Sequence, residues 1–136
     1  MSNFSSIDIS STGLFAQRVR LDTIANNIAN VNTTRTDSGG PYRRQEVVFR
    51  AHSGTFAQNN AGVEVESVVE SNEPPKQVHD PSHPDAGPDG IVRMPNVNVV
   101  QEMVDMITAT RAYEANVQAI NAARTMASKA LDIGRV

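Results

Sequence analysis

The densest run of chemically capable side chains is His79-Asp80-Pro81-Ser82-His83-Pro84-Asp85, two imidazoles four residues apart with two carboxylates. Imidazole nitrogen and carboxylate oxygen are zinc-type donors, so the composition of the run is compatible with metal coordination. Its spacing points elsewhere. Pro81 and Pro84 break any helix that would bring His79 and His83 onto one face, and Asp-Pro and His-Pro are extended or turn dipeptides, so the segment reads as a structural loop and no metal ligand is assigned. His52 stands alone among loop residues and reads as a surface side chain. Cysteine is absent, which removes thiol nucleophiles, disulfides and Cys-based zinc sites. No Ser/His/Asp arrangement has a supporting context and no Gly-rich phosphate loop opens a helix, so no catalytic or cofactor-binding residue is assigned and no cofactor is expected. Tyr42-Arg43-Arg44 beside Phe49-Arg50 has the basic and aromatic makeup of a nucleic-acid platform. Glu46, Glu64, Glu66 and Glu70 share that region, and a net charge of −3 over 136 residues supplies no basic stripe. The patch therefore reads as one face of a mixed-charge sheet, and nucleic acid is not an expected partner. Met103 and Met106 sit at helical spacing and read as packing residues.

The elements that carry these residues begin with the C-terminal 96-136 segment. Val99, Met103, Met106, Thr110, Tyr113, Val117, Ile120, Arg124, Ala127 and Leu131 recur at steps of four and three, a seam along one face of a single long helix. The helix starts after Pro95, with Asn98 placed to cap its first amides and Gln101 able to reach back, and Gly134 is its natural stop. At 1.5 Å per residue it is about 50 Å long. A second seam spans residues 11-33, where Leu14, Leu21 and Ile28 stand seven apart with Gln17, Ile24 and Val31 between them. Gly13 weakens its first turn by about 1 kcal/mol relative to Ala, and residues 1-10, Ser-rich and polar, are expected to form a flexible N-terminal segment. Asn26, Asn27, Asn30 and Asn32 crowd the end of this helix. Asn30 and Asn32 suit a fraying turn; Asn26 and Asn27 lie beside apolar positions, where a buried amide can fix register between helices.

Residues 34-95 have a different character. Thr34 to Pro41 is a loop by composition, Tyr42 to Arg50 and Val63 to Glu70 read as strands joined by the stretch Gly54 to Gly62, Lys76 to His79 reads as a brief third strand, and Asp89-Gly90 is a tight turn before a fourth, Ile91 to Met94. The fold class expected is α+β: two long terminal helices pairing as a coiled-coil-like hairpin, with a small β-rich insert between them. Pairing is expected to bury Leu21, Ile24, Ile28 and Val31 against Met106, Tyr113, Val117 and Ile120. Because the C-terminal helix outruns its partner, the stripe Ala109, Ala112, Ala115, Ala119 and Ala123 is expected to stay uncovered. Hydrophobic residues make up 39% and aromatics 4%, with no Trp, so anchoring side chains are scarce for a self-sufficient core. Heterologous contacts whose rotation does not close build helical filaments or tubes, and a subunit of such an assembly is the reading these faces support. No stretch approaches the roughly 20 apolar residues of a membrane span.

Several motifs resemble one family. Leu21-Asp22-Thr23-Ile24-Ala25-Asn26-Asn27-Ile28-Ala29-Asn30-Val31-Asn32-Thr33 is similar to the N-terminal motif of the flagellar axial proteins of rod and hook. Pro41-Tyr42-Arg43-Arg44, Asp80-Pro81-Ser82-His83-Pro84-Asp85-Ala86, Met94-Pro95-Asn96-Val97, Glu102 to Met106 and Arg111 to Val117 resemble the proximal rod members of that family along essentially the whole chain. The resemblance implies a structural rod subunit in the basal body, forming a drive shaft and export-channel wall that transmits torque to the hook. It further implies periplasmic assembly after export by the flagellar type III apparatus without a cleaved signal peptide, in keeping with the lack of a signal-like pattern from Met1 to Thr12. The partners implied are copies of the chain, other proximal rod proteins and the membrane-ring proteins. The alternative is a different axial protein, such as a neighbouring proximal rod protein. Packing through Leu14, Leu21, Ile24, Ile28, Val31, Met103, Met106, Tyr113, Val117, Ile120 and Leu131 is expected, with Asn26, Asn27, Asn30 and Asn32 as the axial-protein motif.

Overall fold

A computed structural model describes residues 2–52 and 61–134, with backbone alone for residues 2–5 and 52. The architecture is α+β. Helix α1 (Ser2–Ala29) is followed by strands β1 (Gln45–His52), β2 (Gly62–Glu70), β3 (Lys76–His79) and β4 (Ile91–Met94), and helix α2 (Val99–Ile133) closes the chain. β1 and β2 form one antiparallel two-stranded sheet, β3 and β4 another.

The helix α1 opens nine residues before the Ser11 start read from the sequence, so residues 2–10 are its first turns and not a tail. Ser11 and Thr12 turn their hydroxyls back onto the carbonyls of Asp8 and Ile9, each at 2.7 Å. Gly13 sits inside the helix because α2 passes close: a methyl group there would meet the Asn116 side chain at 3.1 Å. At the other end the helix stops at Ala29, short of residue 33. Asn30 donates its side chain to the Asn26 carbonyl at 2.9 Å, and the backbone tightens into turns from Val31 to Ile28 and from Thr33 to Asn30, the local competition for backbone groups that Asn favours.

Asn98 caps α2 as its type requires, its side-chain oxygen accepting from the amides of Val100 and Gln101 at 3.1 and 3.4 Å. Gln101 does not reach back; its amide donates forward to Asp105 at 3.4 Å. Gly134 ends the helix in right-handed backbone, with its N–H on the Ala130 carbonyl at 3.2 Å. Gly13 against Asn116 and Asn27 against Glu102 fix the two helices as antiparallel.

The β1–β2 hairpin lies along α1. Its open end is held at Asn27, and near its other end Val63 donates its amide to Thr12 Oγ1 at 3.1 Å. The strand β1 begins at Gln45 and not at Tyr42, although Ser71 N–H to the Arg44 carbonyl at 2.7 Å extends the ladder one step. A bulge between Val48 and Phe49 leaves Glu66 of β2 without a paired residue. The joining stretch at residues 53–60 lies outside the described residues. Between β3 and β4, Gly90 takes φ +71°, a conformation natural to glycine.

The interior is built from small side chains. Ala16, Ile24, Ala109 and Ala123 are buried in the helices, and Val92, Pro95 and Val97 below them where the second sheet meets the start of α2. The buried face of α2 runs through Glu102, Ala109 and Ala123, a rotation away from the seam expected through Met103, Thr110 and Arg124, all three of which are exposed. Ala109 and Ala123 are thus covered, contrary to the expectation for the alanine stripe; Ala112 is half-buried, and Ala115 and Ala119 are exposed. The reason is steric: alanines let two helix backbones approach, whereas methionine and tyrosine hold them apart.

A polar lock beneath a candidate assembly surface

Three separate segments converge on Asn27. Its side chain is 1% exposed and satisfies every hydrogen-bonding site it uses. Oδ1 accepts from the Tyr42 hydroxyl and from the Gln45 amide, both at 2.9 Å, while Nδ2 donates to the Gln45 carbonyl at 2.9 Å and to Glu102 Oε2 at 3.0 Å. The amide treats the first residue of β1 as a neighbouring strand would, exchanging both backbone bonds with it. The helix α1 thereby sets where the sheet starts, and through Glu102 the same side chain reaches α2.

Glu102 is itself 1% exposed, and a buried carboxylate requires a counter-charge. Arg44 supplies it through Nε at 2.5 Å, pairs with Glu46 as well, and lies 3.9 Å from Asp105. Burial draws the Arg44 guanidinium down, but its hydrogen bond and charge contact with Glu102 outweigh that, and its pKa is raised. Burial pushes the Tyr42 hydroxyl up, and the charges of Glu102 and Glu70 push it the same way. The result is a closed polar network that joins α1, the approach to β1 and α2. The hydrogen bonds of Asn27 and Glu102 in this network all run to other parts of the same chain, so these two side chains hold elements together.

The loop carrying the histidines is stapled in a comparable manner. Asp80 accepts from the Ser82 amide and hydroxyl at 3.1 and 2.6 Å, which lowers its pKa. His83 Nδ1 accepts the Asp85 amide at 3.1 Å, and Asp85 binds Thr34 Oγ1 at 2.7 Å and Arg35 at 2.6 Å. Asp85 thus ties the loop to the segment that leaves α1. Among the described residues no three His, Cys, Asp or Glu side chains gather as a metal site would require. The side chain of His52 lies outside the described residues. Of the basic and aromatic stretch, Arg50 pairs with Glu64 and Glu66, so both Arg44 and Arg50 are neutralised within the subunit.

The residues expected at helix packing divide into two sets. Ile24 is buried, and Leu14, Leu21, Ile28, Val31, Met106, Val117 and Ile120 are half-buried; Met103, Tyr113 and Leu131 face outward. Of the asparagines, Asn27 forms the lock, Asn30 half-buried closes the turn, and Asn26 and Asn32 are exposed. On the side of α2 away from α1, Val100, Met103, Val104 and Ile107 are between 52% and 71% exposed, and Phe15 on α1 is 64% exposed. Sequence reasoning missed Tyr42, Gln45 and Glu102 as partners of Asn27, and Arg44 as the counter-charge of Glu102. The available signal was an acid inside the apolar opening of a long helix, which calls for a cation elsewhere in the chain.

A locked helical hairpin that buries Ala16, Ala109 and Ala123 and displays several of its larger apolar side chains suits a subunit of a larger assembly. Residues 7–35 match the family described as flagella basal body rod protein, and residues 89–133 match flagellar basal body rod FlgEFG protein C-terminal. The chain is 48% identical to the flagellar basal-body rod protein FlgC of Borreliella burgdorferi, with 98% of each chain covered. It is 40% identical to that of Bacillus subtilis, over 99% of this chain and 100% of the relative, and 41% identical to that of Salmonella typhimurium, over 94% and 95%. The chain belongs to the flagellar basal-body rod protein family, a family of structural rod proteins.

Proposed function

We propose that this chain polymerises with copies of itself and with other proximal rod proteins into the helical shaft of the flagellar basal body. The observation that carries the reading is the exposed apolar face of α2, Val100, Met103, Val104 and Ile107. A contiguous patch of this kind marks an interaction surface, and on a helix it fits another helix. In the shaft the paired terminal helices form the inner wall around the export channel, Met103, Tyr113 and Leu131 pack against neighbours, and the β insert is held outside by the Asn27 network. Torque passes through packed helices. The chain reaches the periplasm by flagellar type III export without a cleaved signal, and the membrane-ring proteins adjoin the base of the shaft. No helix among the described residues is long and apolar enough to cross a membrane, which fits a shaft subunit that neighbours a membrane without spanning it.

Deletion of the gene followed by complementation tests this. Complementation with the unaltered chain restores swimming in soft agar and basal bodies with complete rods. A Val104→Asp, Ile107→Asp double variant, made at exposed positions so that the subunit still folds, restores neither. Full motility with that variant would refute the role given to this face.

A further inference from the structure

The outer stripes of the two helices carry complementary features at equal spacing. On α1, Asp8 and Phe15 lie seven residues apart on one flank of the helix, about a quarter turn from the buried Ala16, Thr23 and Asn27 at 3.6 residues per turn; both are exposed. On α2, Val104 and Arg111 lie seven apart on the face turned away from Glu102, Ala109 and Ala123, again both exposed. Neither Asp8 nor Arg111 has an ion-pair partner among the described residues.

We propose that Phe15 of one copy inserts into the Val100, Val104 and Ile107 patch of the next copy, with Asp8 of the first paired to Arg111 of the second. The proposal rests on the reading of the chain as a shaft subunit. Copies related by rotation and translation along the helix direction keep every α1 pointing the same way, so a neighbour's α1 meets α2 antiparallel, as it does within the subunit. Inside the subunit Phe15 is level with residue 114, given Gly13 beside Asn116 and Asn27 beside Glu102. Sliding the neighbour by ten residues, about 15 Å at 1.5 Å per residue, brings Phe15 to Val104 and Asp8 to Arg111.

Charge selects this register over its neighbours. Placing Phe15 one turn further on, at Ile107, sets Asp8 against Glu114. Placing it at Val100 sets Asp8 on Ile107 and leaves a carboxylate against an apolar side chain. Only the middle setting buries the phenyl ring and pairs both charges. The contact joins different surfaces of the two copies and carries an axial slide of about 15 Å, so it propagates as a helix and does not close into a ring.

The chain has no cysteine, so an introduced pair is read without background from the chain itself. Phe15→Cys with Val104→Cys is expressed in cells lacking the native copy, and basal bodies are isolated and oxidised. The expected result is a thiol-reversible ladder of multimers of this chain, lost with either single substitution. In a chain without added cysteines, Asp8→Arg or Arg111→Asp alone reduces swimming, and the two together restore it. Failure to form the ladder, with the chain present in basal bodies at its native level, overturns the proposal and leaves the shaft reading intact. An adduct with a chain of different mass, or no recovery in the double reversal, assigns the patch to another occupant and equally overturns it. Absence of the unaltered chain from basal bodies would refute the shaft reading itself.

Discussion

Replacing Asn27 by alanine removes four hydrogen bonds at one stroke: two to the Gln45 backbone, one from the Tyr42 hydroxyl and one to Glu102. The cost follows from where the orphaned groups sit. Tyr42 is half-buried and reaches water after a small rotation. The Gln45 backbone and Glu102 Oε2 cannot leave, and each buried polar group without a partner costs about 1–3 kcal/mol. A loss of about 3–5 kcal/mol is expected, a large share of the stability of a domain this size. Asn27→Asp is expected to be worse at neutral pH despite its identical shape. It sets a carboxylate where Nδ2 stood, 3.0 Å from Glu102, and two like charges at that range cannot both ionise. One carboxyl of the pair then titrates above its ordinary value in the folded state, so the proton-bound form carries the stability. The deficit narrows as the pH falls toward about 5 and widens as it rises. Urea unfolding of the purified subunit followed by circular dichroism, repeated at pH 5 and pH 7, measures both effects. An alanine variant less than about 1 kcal/mol weaker than the native chain, or an aspartate variant indifferent to pH, would refute the account of Asn27 as a lock.

Two further perturbations probe neighbouring parts of the fold. Gly13→Ala gains about 1 kcal/mol of helix propensity against a methyl placed 3.1 Å from the Asn116 side chain, so its unfolding midpoint is expected to stay close to native, whereas Gly13→Leu, too large for the gap, is expected to lose about 1–3 kcal/mol; equal effects of the two would remove close helix approach as the reason for glycine there. In a Tyr113→Phe background Tyr42 is the sole tyrosine, and its absorbance titration near 295 nm is expected above the ordinary value of about 10, moving back down in Glu102→Gln. Because the folded value is the raised one, Tyr42 leaves stability unchanged below the ordinary tyrosine value and lowers it as the pH climbs through the folded one.

How far the fold was legible depended on whether the deciding interaction was local. Four strands and two helices followed from side-chain period and turn chemistry, and Asn98 capped α2 as its identity demands. The first turns of α1 were not legible, because residues 2–10 look like a tail when judged alone and Gly13 argues against a helix until Asn116 is seen against it. The axial-protein asparagines were visible as a cluster, but nothing in their spacing separates Asn27, which is buried, from exposed Asn26 and Asn32. Its partners stand at positions 42, 45 and 102, and only tertiary structure brings such separations together.

The rotated seam carries a more general consequence. A heptad reading assigns the largest apolar side chains to the inside, a rule that holds when one molecule must bury everything it has. Here one helix carries two burial programmes. Glu102, Ala109 and Ala123 serve the subunit, and Val100, Met103, Val104 and Ile107 remain outside it. An alanine methyl removes little area from water, and at about 25 cal/mol per Å² the helix pair gains far less than leucines or phenylalanines would give it. The interior therefore contributes geometry more than energy: small residues set the distance between helices, and the Asn27, Arg44 and Glu102 network sets the angle of the insert. In the assembly proposed above, the stronger hydrophobic gain falls to contacts between chains, and stability there rises by mass action as chains associate. On the proposed reading such a chain takes its shape from its own polar network and its strength from its neighbours, which is why a composition so poor in aromatics suits a structural rod protein.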